Sequence, residues 1–249
     1  MKKSYLIFLL AIAIAGCKKE TTSNIISGPT TNVDKQSAGS SAASLLAADN
    51  YTSLLVEIQC APGMQPQAQT IINLSNFLAD RLQKPGGIMV QTKQVASFGK
   101  QTINIADITS YTDRYRTAYT DGSRITLYLI FADADFSTNG VVGVAYRNTA
   151  LCVFEKTIQA NSGGINQASR VKVESGVLLH EIGHLLGLTN NGTNMNTPHE
   201  DEAHKAHCNN SNCLMYYSIE TTGLMNMLNN NVPALDANCL ADLRGNGGR

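Results

Sequence analysis

From Tyr51 onward the chain alternates between short apolar runs and longer stretches with apolar residues three and four apart. Leu54-Leu55-Val56-Glu57-Ile58 reads as a strand. Pro66 then opens a helix whose apolar positions Ile71, Ile72, Leu74, Phe77, Leu78 and Leu82 recur at helical spacing. Pro85-Gly86-Gly87 stops it, and Ile88-Met89-Val90 starts a second strand. The pattern predicts a helix over 108–119 and a strong strand over 125–131, where the residues are nearly all β-branched, aromatic or Leu. Two further strands follow over 141–146 and 151–154, then a long helix over 171–188. The order β-α-β-α-β-β-β-α predicts an α/β (α+β) fold, with a mixed twisted sheet, the last long helix packed under it and a small C-terminal helical lobe. No internal repeat is present.

The first 50 residues follow another pattern. Lys2 and Lys3 precede an apolar run, Tyr5 to Ala15, that is too short for a comfortable bilayer span. It ends in Ile14-Ala15-Gly16-Cys17, which resembles a bacterial lipobox. That resemblance implies a signal peptide over 1–16, a lipid anchor on Cys17, and a protein of the bacterial cell envelope facing the periplasm or the exterior. The segment 17–50 is rich in Ser, Thr, Ala, Asn and Gly, and reads as a flexible tether to a domain spanning 51–245. Without 1–16 the chain of 249 residues keeps 17 basic and 19 acidic residues and no basic run, which speaks against nucleic-acid binding. The length suffices for one well-buried domain, or one domain in two lobes, and a monomer is expected.

The chemistry concentrates in His180-Glu181-Ile182-Gly183-His184. Histidines four apart on a helix project from one face, one turn apart, and two imidazoles there can take adjacent corners of a zinc tetrahedron. Glu181 would stand beside the metal as the group that polarises a bound water. The flanking Val177, Leu178, Leu179, Ile182, Leu185, Leu186 and Leu188 are apolar, and a buried helix does not carry two histidines and an acid without a use for them. Two protein ligands are too few for a catalytic zinc, so a third is required.

Gly187, three residues after His184, makes the run resemble the metzincin signature His-Glu-x-x-His-x-x-Gly-x-x-His and should end the helix in a left-handed turn. The third position of that signature falls on Asn190, a poor zinc ligand. Further on, His207-Cys208-Asn209-Asn210-Ser211-Asn212-Cys213-Leu214-Met215 resembles the archaemetzincins, in which the third histidine is followed by Cys, four residues, Cys, one residue and Met. The resemblance spans about residues 174–217. It implies a 17-residue insertion between Leu188 and His207, His207 as third ligand, and Met215 as the methionine beneath the metal. Within the insertion, His199-Glu200-Asp201-Glu202-Ala203-His204 reads as a solvated polar loop. A second cation site there, or His204 in place of His207, are the alternatives. In another zincin clan the third ligand is a downstream glutamate, but no Glu-x-x-x-Asp pattern follows the motif, and Glu220 is the sole glutamate after Glu202.

Setting Cys17 aside leaves Cys60, Cys152, Cys208, Cys213 and Cys239, an odd number that cannot all pair. The archaemetzincin resemblance implies that Cys208 and Cys213 share a second, structural zinc with a later pair, here reduced to Cys239 and Asp242. Export favours a Cys208–Cys213 disulfide instead. A tyrosine two residues after the methionine, as Tyr217 is here, stabilises the transition state in astacins and serralysins. The sequence therefore predicts a zinc-dependent endopeptidase acting on extracytoplasmic peptides or proteins. Its metal ligands would be His180, His184 and His207, with Glu181 and Tyr217 catalytic and an extended substrate along 140–145. A zinc-stabilised surface lipoprotein without activity is the rival, which an intact Glu181 disfavours.

Overall fold

In the computed structural model the described residues are 31–223 and 231–249, so the signal segment and Cys17 lie outside them. In chain order the elements are α1 (Ala42–Leu46), β1 (Ser53–Cys60), α2 (Ala68–Arg81), β2 (Ile88–Gln94), β3 (Thr102–Ile103), α3 (Ile105–Tyr115) and β4 (Arg124–Phe131). They continue with β5 (Asp135–Phe136), β6 (Gly143–Arg147), β7 (Ala150–Val153), α4 (Glu155–Asn161), α5 (Arg170–Leu185) and α6 (Ala237–Gly245).

Five strands form one sheet in the order β2-β1-β4-β7-β6. The first four run parallel, and β6 pairs antiparallel with β7 at the edge. Alternation along β4 divides the core into two layers. Leu127, Leu129 and Phe131 join Leu74, Leu78, Val173 and Val177 of α2 and α5 on one face. Tyr128 and Ile130 join Ile108 and Tyr111 of α3 on the other. The expected mixed α/β architecture, with the long helix packed against the sheet, is the one present.

α3 ends at Tyr115 rather than Tyr119. The carboxylate of Glu57 accepts the amides of Thr117 and Ala118, which a longer helix would have turned inward. At its start, Asn104 and Asp107 form a reciprocal capping box. α4 was not foreseen; it is a short helix that buries Ile158 and Glu155.

The larger correction concerns the tether. Its C-terminal part is built into the domain, so the folded unit begins before residue 51. Ala42, Leu45 and Leu46 are buried, and Leu45 and Leu46 belong to the core under the sheet. The Lys84 ammonium donates to the carbonyls of Ser44, Ala47 and Tyr51, closing the end of α1. Asp34 is fully buried and accepts from the Thr120 amide and hydroxyl (both 2.8 Å) and from the Thr149 hydroxyl (3.0 Å). Its carboxylate also lies 3.4 Å from the buried Arg116 guanidinium. Polarity of composition suggested a solvated linker, but these few polar groups are individually satisfied and the intervening small apolar residues pack. Removing one partner of a buried ion pair strands the other, so Asp34→Ala should cost about 3–5 kcal/mol of stability in urea unfolding. A loss below about 1 kcal/mol, the scale of an exposed pair, would mean that the segment is not part of the fold.

Candidate metal centre

α5 carries the motif. Ser169 caps it by accepting the Lys172 amide, and every residue from Lys172 to Leu185 is buried. It closes in a Schellman turn: the Gly187 amide donates to His184 and the Leu188 amide to Gly183, both at 3.1 Å. Gly187 has φ +77°, and a Cβ there would lie 2.8 Å from the Ala42 side chain, so α1 and the left-handed turn both require glycine.

After this turn the chain leaves and returns. Asn190 is exposed and does not belong to the histidine cluster. Thr189, beside it, is buried, and its hydroxyl donates to the carbonyl of Ala206 as well as to that of Leu188. This bond ties the two ends of the excursion together and brings His207 back to the helix. His204 is elsewhere: Nδ1 lies 2.9 Å from Asp201 Oδ2, and its ring stacks on Tyr217 with centroids 3.6 Å apart.

The rings of His180, His184 and His207 stand 4.7–5.2 Å apart. Nδ1 of His180 donates to the Leu214 carbonyl at 2.7 Å, and Nδ1 of His207 to the Lys205 carbonyl at 3.0 Å. A carbonyl only accepts, so both rings carry their proton on Nδ1 and turn the Nε2 lone pair toward the cluster. Nε2 of His180 and of His184 are 3.1 Å apart, and His207 Nε2 is buried without a hydrogen bond. Burial pulls the His180 pKa down to about 4 and holds that of His184 well below the usual range, leaving both neutral as metal ligation requires. For His207, burial acts downward too, but the neighbouring Glu220 and the carbonyls outweigh it and raise its pKa. Converging lone pairs with an orphaned buried acceptor are the donor set of a cation such as zinc, so these residues fit that group.

Glu181 is fully buried, and neither oxygen makes a well-formed hydrogen bond. Burial, and then the charge of Glu220, push its pKa well above the ordinary carboxylate range. The edge strand β6 crosses directly above it: a Cβ on Gly143 would come within 2.6 Å of Glu181 Oε1. The expected substrate edge is shorter than 140–145. Gly140 and Val142 are already paired with the segment 220–222, through Thr222 N to Gly140 O and Val142 N to Glu220 O, both 2.8 Å. Glu220, the sole acid between Glu202 and Asp236, is the residue that sequence reasoning left aside. Its carboxylate joins the three histidines, all four donor atoms lying within 4.8 Å of one another.

Met215 is buried beneath the motif, and a Cβ on Gly183 would fall 2.2 Å from its Sδ. Tyr217 lies against His204 and, at 4.7 Å between centroids, Tyr216.

The sulfur groups form a second cluster, and here three expectations are corrected. Cys208 and Cys213 are not joined; all five cysteines among the described residues are free and buried. Cys208, Cys213 and Cys239 converge instead, with Cys213 Sγ 3.6 Å from Cys239 Sγ. The acid beside them is Asp236 rather than Asp242. Asp236 caps α6 by accepting the Cys239 amide, which leaves its Oδ2 3.3 Å from Cys208 Sγ. Asp242 instead accepts the Asn196 amide at 2.7 Å. His199 is no solvated loop residue: it is 2 % exposed, with Nε2 3.4 Å from Cys239 Sγ and 3.5 Å from Asp242 Oδ2.

Comparison with known proteins adds two findings. A family model described as Reprolysin_5, metallo-peptidase family M12, matches residues 49–231. Among solved structures, archaemetzincin from Methanopyrus kandleri superposes with a TM-score of 0.50 at 16% identity, covering 80% of this chain and 96% of that one, a likeness of fold. No curated protein sequence matches.

The fit of Met215 under the helix leaves no room at position 183. Gly183→Ala should lower stability by about 1–3 kcal/mol, as overpacking of a buried contact does. Urea unfolding measures it, and an unchanged midpoint would show that Met215 does not support the helix there.

Proposed function

The chain belongs to metallo-peptidase family M12 and is a zinc metallopeptidase, and on that premise we propose that His180, His184 and His207 hold its catalytic zinc while Glu181 is the general base. The observation that carries this reading is the convergence of three imidazole nitrogens, two with tautomers set by backbone carbonyls, beside one buried carboxylate. Zinc bound there supplies Lewis acidity toward a water and toward the scissile carbonyl.

The residues of the chain do the rest. Glu181 takes the proton of the attacking water and later passes it to the leaving amine. Its seclusion from solvent strengthens the interaction with the developing charge. A peptide lying extended along the free part of β6, from Gly143 to Ala145, would pair with its backbone directly above Glu181. Tyr217 is given the second catalytic role, donating its hydroxyl to the oxyanion, which requires its ring to part from His204.

We assign a structural ion to the cluster of Cys208, Cys213 and Cys239, with Asp236 and His199 as the groups in reach of its fourth position. Lipidation at Cys17, an envelope location, extracytoplasmic protein or peptide substrates and a monomeric state remain the reading of the sequence.

Glu181→Gln keeps the ligands and removes the base. It should retain zinc by elemental analysis yet lose about 10²–10⁴-fold in peptide-cleavage kcat. Cleavage at a near wild-type rate would rule out Glu181 as the base.

A further inference from the structure

The Glu220 carboxylate faces the three histidines. Its carboxylate oxygens lie 3.4 Å from His207 Nε2, 3.8 Å from His180 Nε2 and 3.9 Å from His184 Nε2. A tetrahedron with metal–ligand bonds of about 2.0–2.1 Å has edges of about 3.3 Å. The separations of 3.1 Å between Nε2 of His180 and of His184 and 3.4 Å between His207 Nε2 and Glu220 Oε1 match that edge, while Glu220 Oε2 stands 3.8 and 3.9 Å from the other two histidines.

An ion pair with His207 accounts for one of these approaches but not for those to His180 and His184. His180 carries its proton on Nδ1, engaged with Leu214, so the nitrogen facing Glu220 is an acceptor. A carboxylate largely withdrawn from solvent and facing an acceptor nitrogen is unfavourable unless a cation lies between them. Nor is the side chain there by drift, because its backbone is pinned on both sides. The Glu220 carbonyl accepts the Val142 amide, and Thr222 donates to Gly140, so residues 220–222 are stitched to the start of the edge strand.

We propose that Glu220 is a fourth, displaceable ligand of the metal held by His180, His184 and His207, closing its open position in the resting protein until substrate takes that place. This rests on the three-histidine reading given above. Because the backbone of 220–222 stays anchored to the edge strand, release needs rotation of the Glu220 side chain alone. The arrangement protects the metal from loss and from small ligands, and ties opening of the site to the strand along which a peptide would lie.

Zinc competition titration with a chromogenic chelator, on wild type, His180→Ala, Glu220→Gln and Glu220→Ala, tests this together with acetohydroxamate binding to the zinc-loaded proteins. The zinc class lost in His180→Ala is the histidine site. Glu220→Gln, nearly isosteric with the native side chain, should weaken that class about 10-fold or more. Acetohydroxamate should bind both Glu220 variants more tightly than wild type, since no carboxylate has to be displaced. A merely structural Glu220 would not move the two affinities in opposite directions. Unchanged zinc and hydroxamate affinities in both variants would overturn the proposal while leaving the three-histidine site intact. A His180→Ala protein that loses no zinc class would instead overturn the reading beneath it.

Discussion

The hydrogen bond from His180 Nδ1 to the Leu214 carbonyl is the hinge of the centre. It fixes the tautomer and ring orientation of His180 on α5 by means of the turn that carries Met215, so helix and turn can only be placed together. Met215 completes the lock by filling the hollow over Gly183, and the Cys208 amide donates to the Met215 carbonyl. The residue before Cys208 is His207. One short chain of contacts thus holds His180 and His207, from segments far apart in sequence, in a fixed relation, as a preorganised metal site requires. The sulfur cluster then ties this turn to α6, since Cys208 and Cys213 flank the approach to Met215 and Cys239 comes from the C-terminal helix.

Burial sets the chemistry of the groups so arranged. The same exclusion of water that keeps His180 and His184 neutral also disfavours a charged Glu181. A cation among the histidines answers both, because it uses the neutral lone pairs and stabilises the neighbouring carboxylate. The metal-binding and basic functions proposed for these residues are therefore two consequences of one buried helix under one edge strand, where Gly143 permits the close approach.

Much of this was legible in the sequence where the signal is periodic or local. The strands at Leu54 and Ile125, the helix after Pro66 and the His180–His184 pair all follow from spacing, and Gly187 adopts the left-handed turn expected of it. The place of His207 beside His180 and His184 was reachable through its position before the paired cysteines and Met215, despite the insertion. What failed depended on contacts distant in sequence. The burial of His199 depends on α6, some 40 residues later, and nothing in the run from His199 to His204 announces it. Residues 33–47 looked like a linker because small and polar residues score as solvated, although Asp34 and Leu46 each have a dedicated partner surface. Glu220 has no periodic relation to the histidines; its place comes from pairing between 220–222 and the edge strand.

The central claim is that three side chains, two from α5 and one from beyond the insertion, bind one ion. Anomalous diffraction at the zinc edge, on crystals of the zinc-loaded protein, tests it most directly. The account predicts a peak about 2.0–2.1 Å from Nε2 of each of His180, His184 and His207. A peak that His204 rather than His207 completes, or zinc confined to the cysteine cluster, would contradict it.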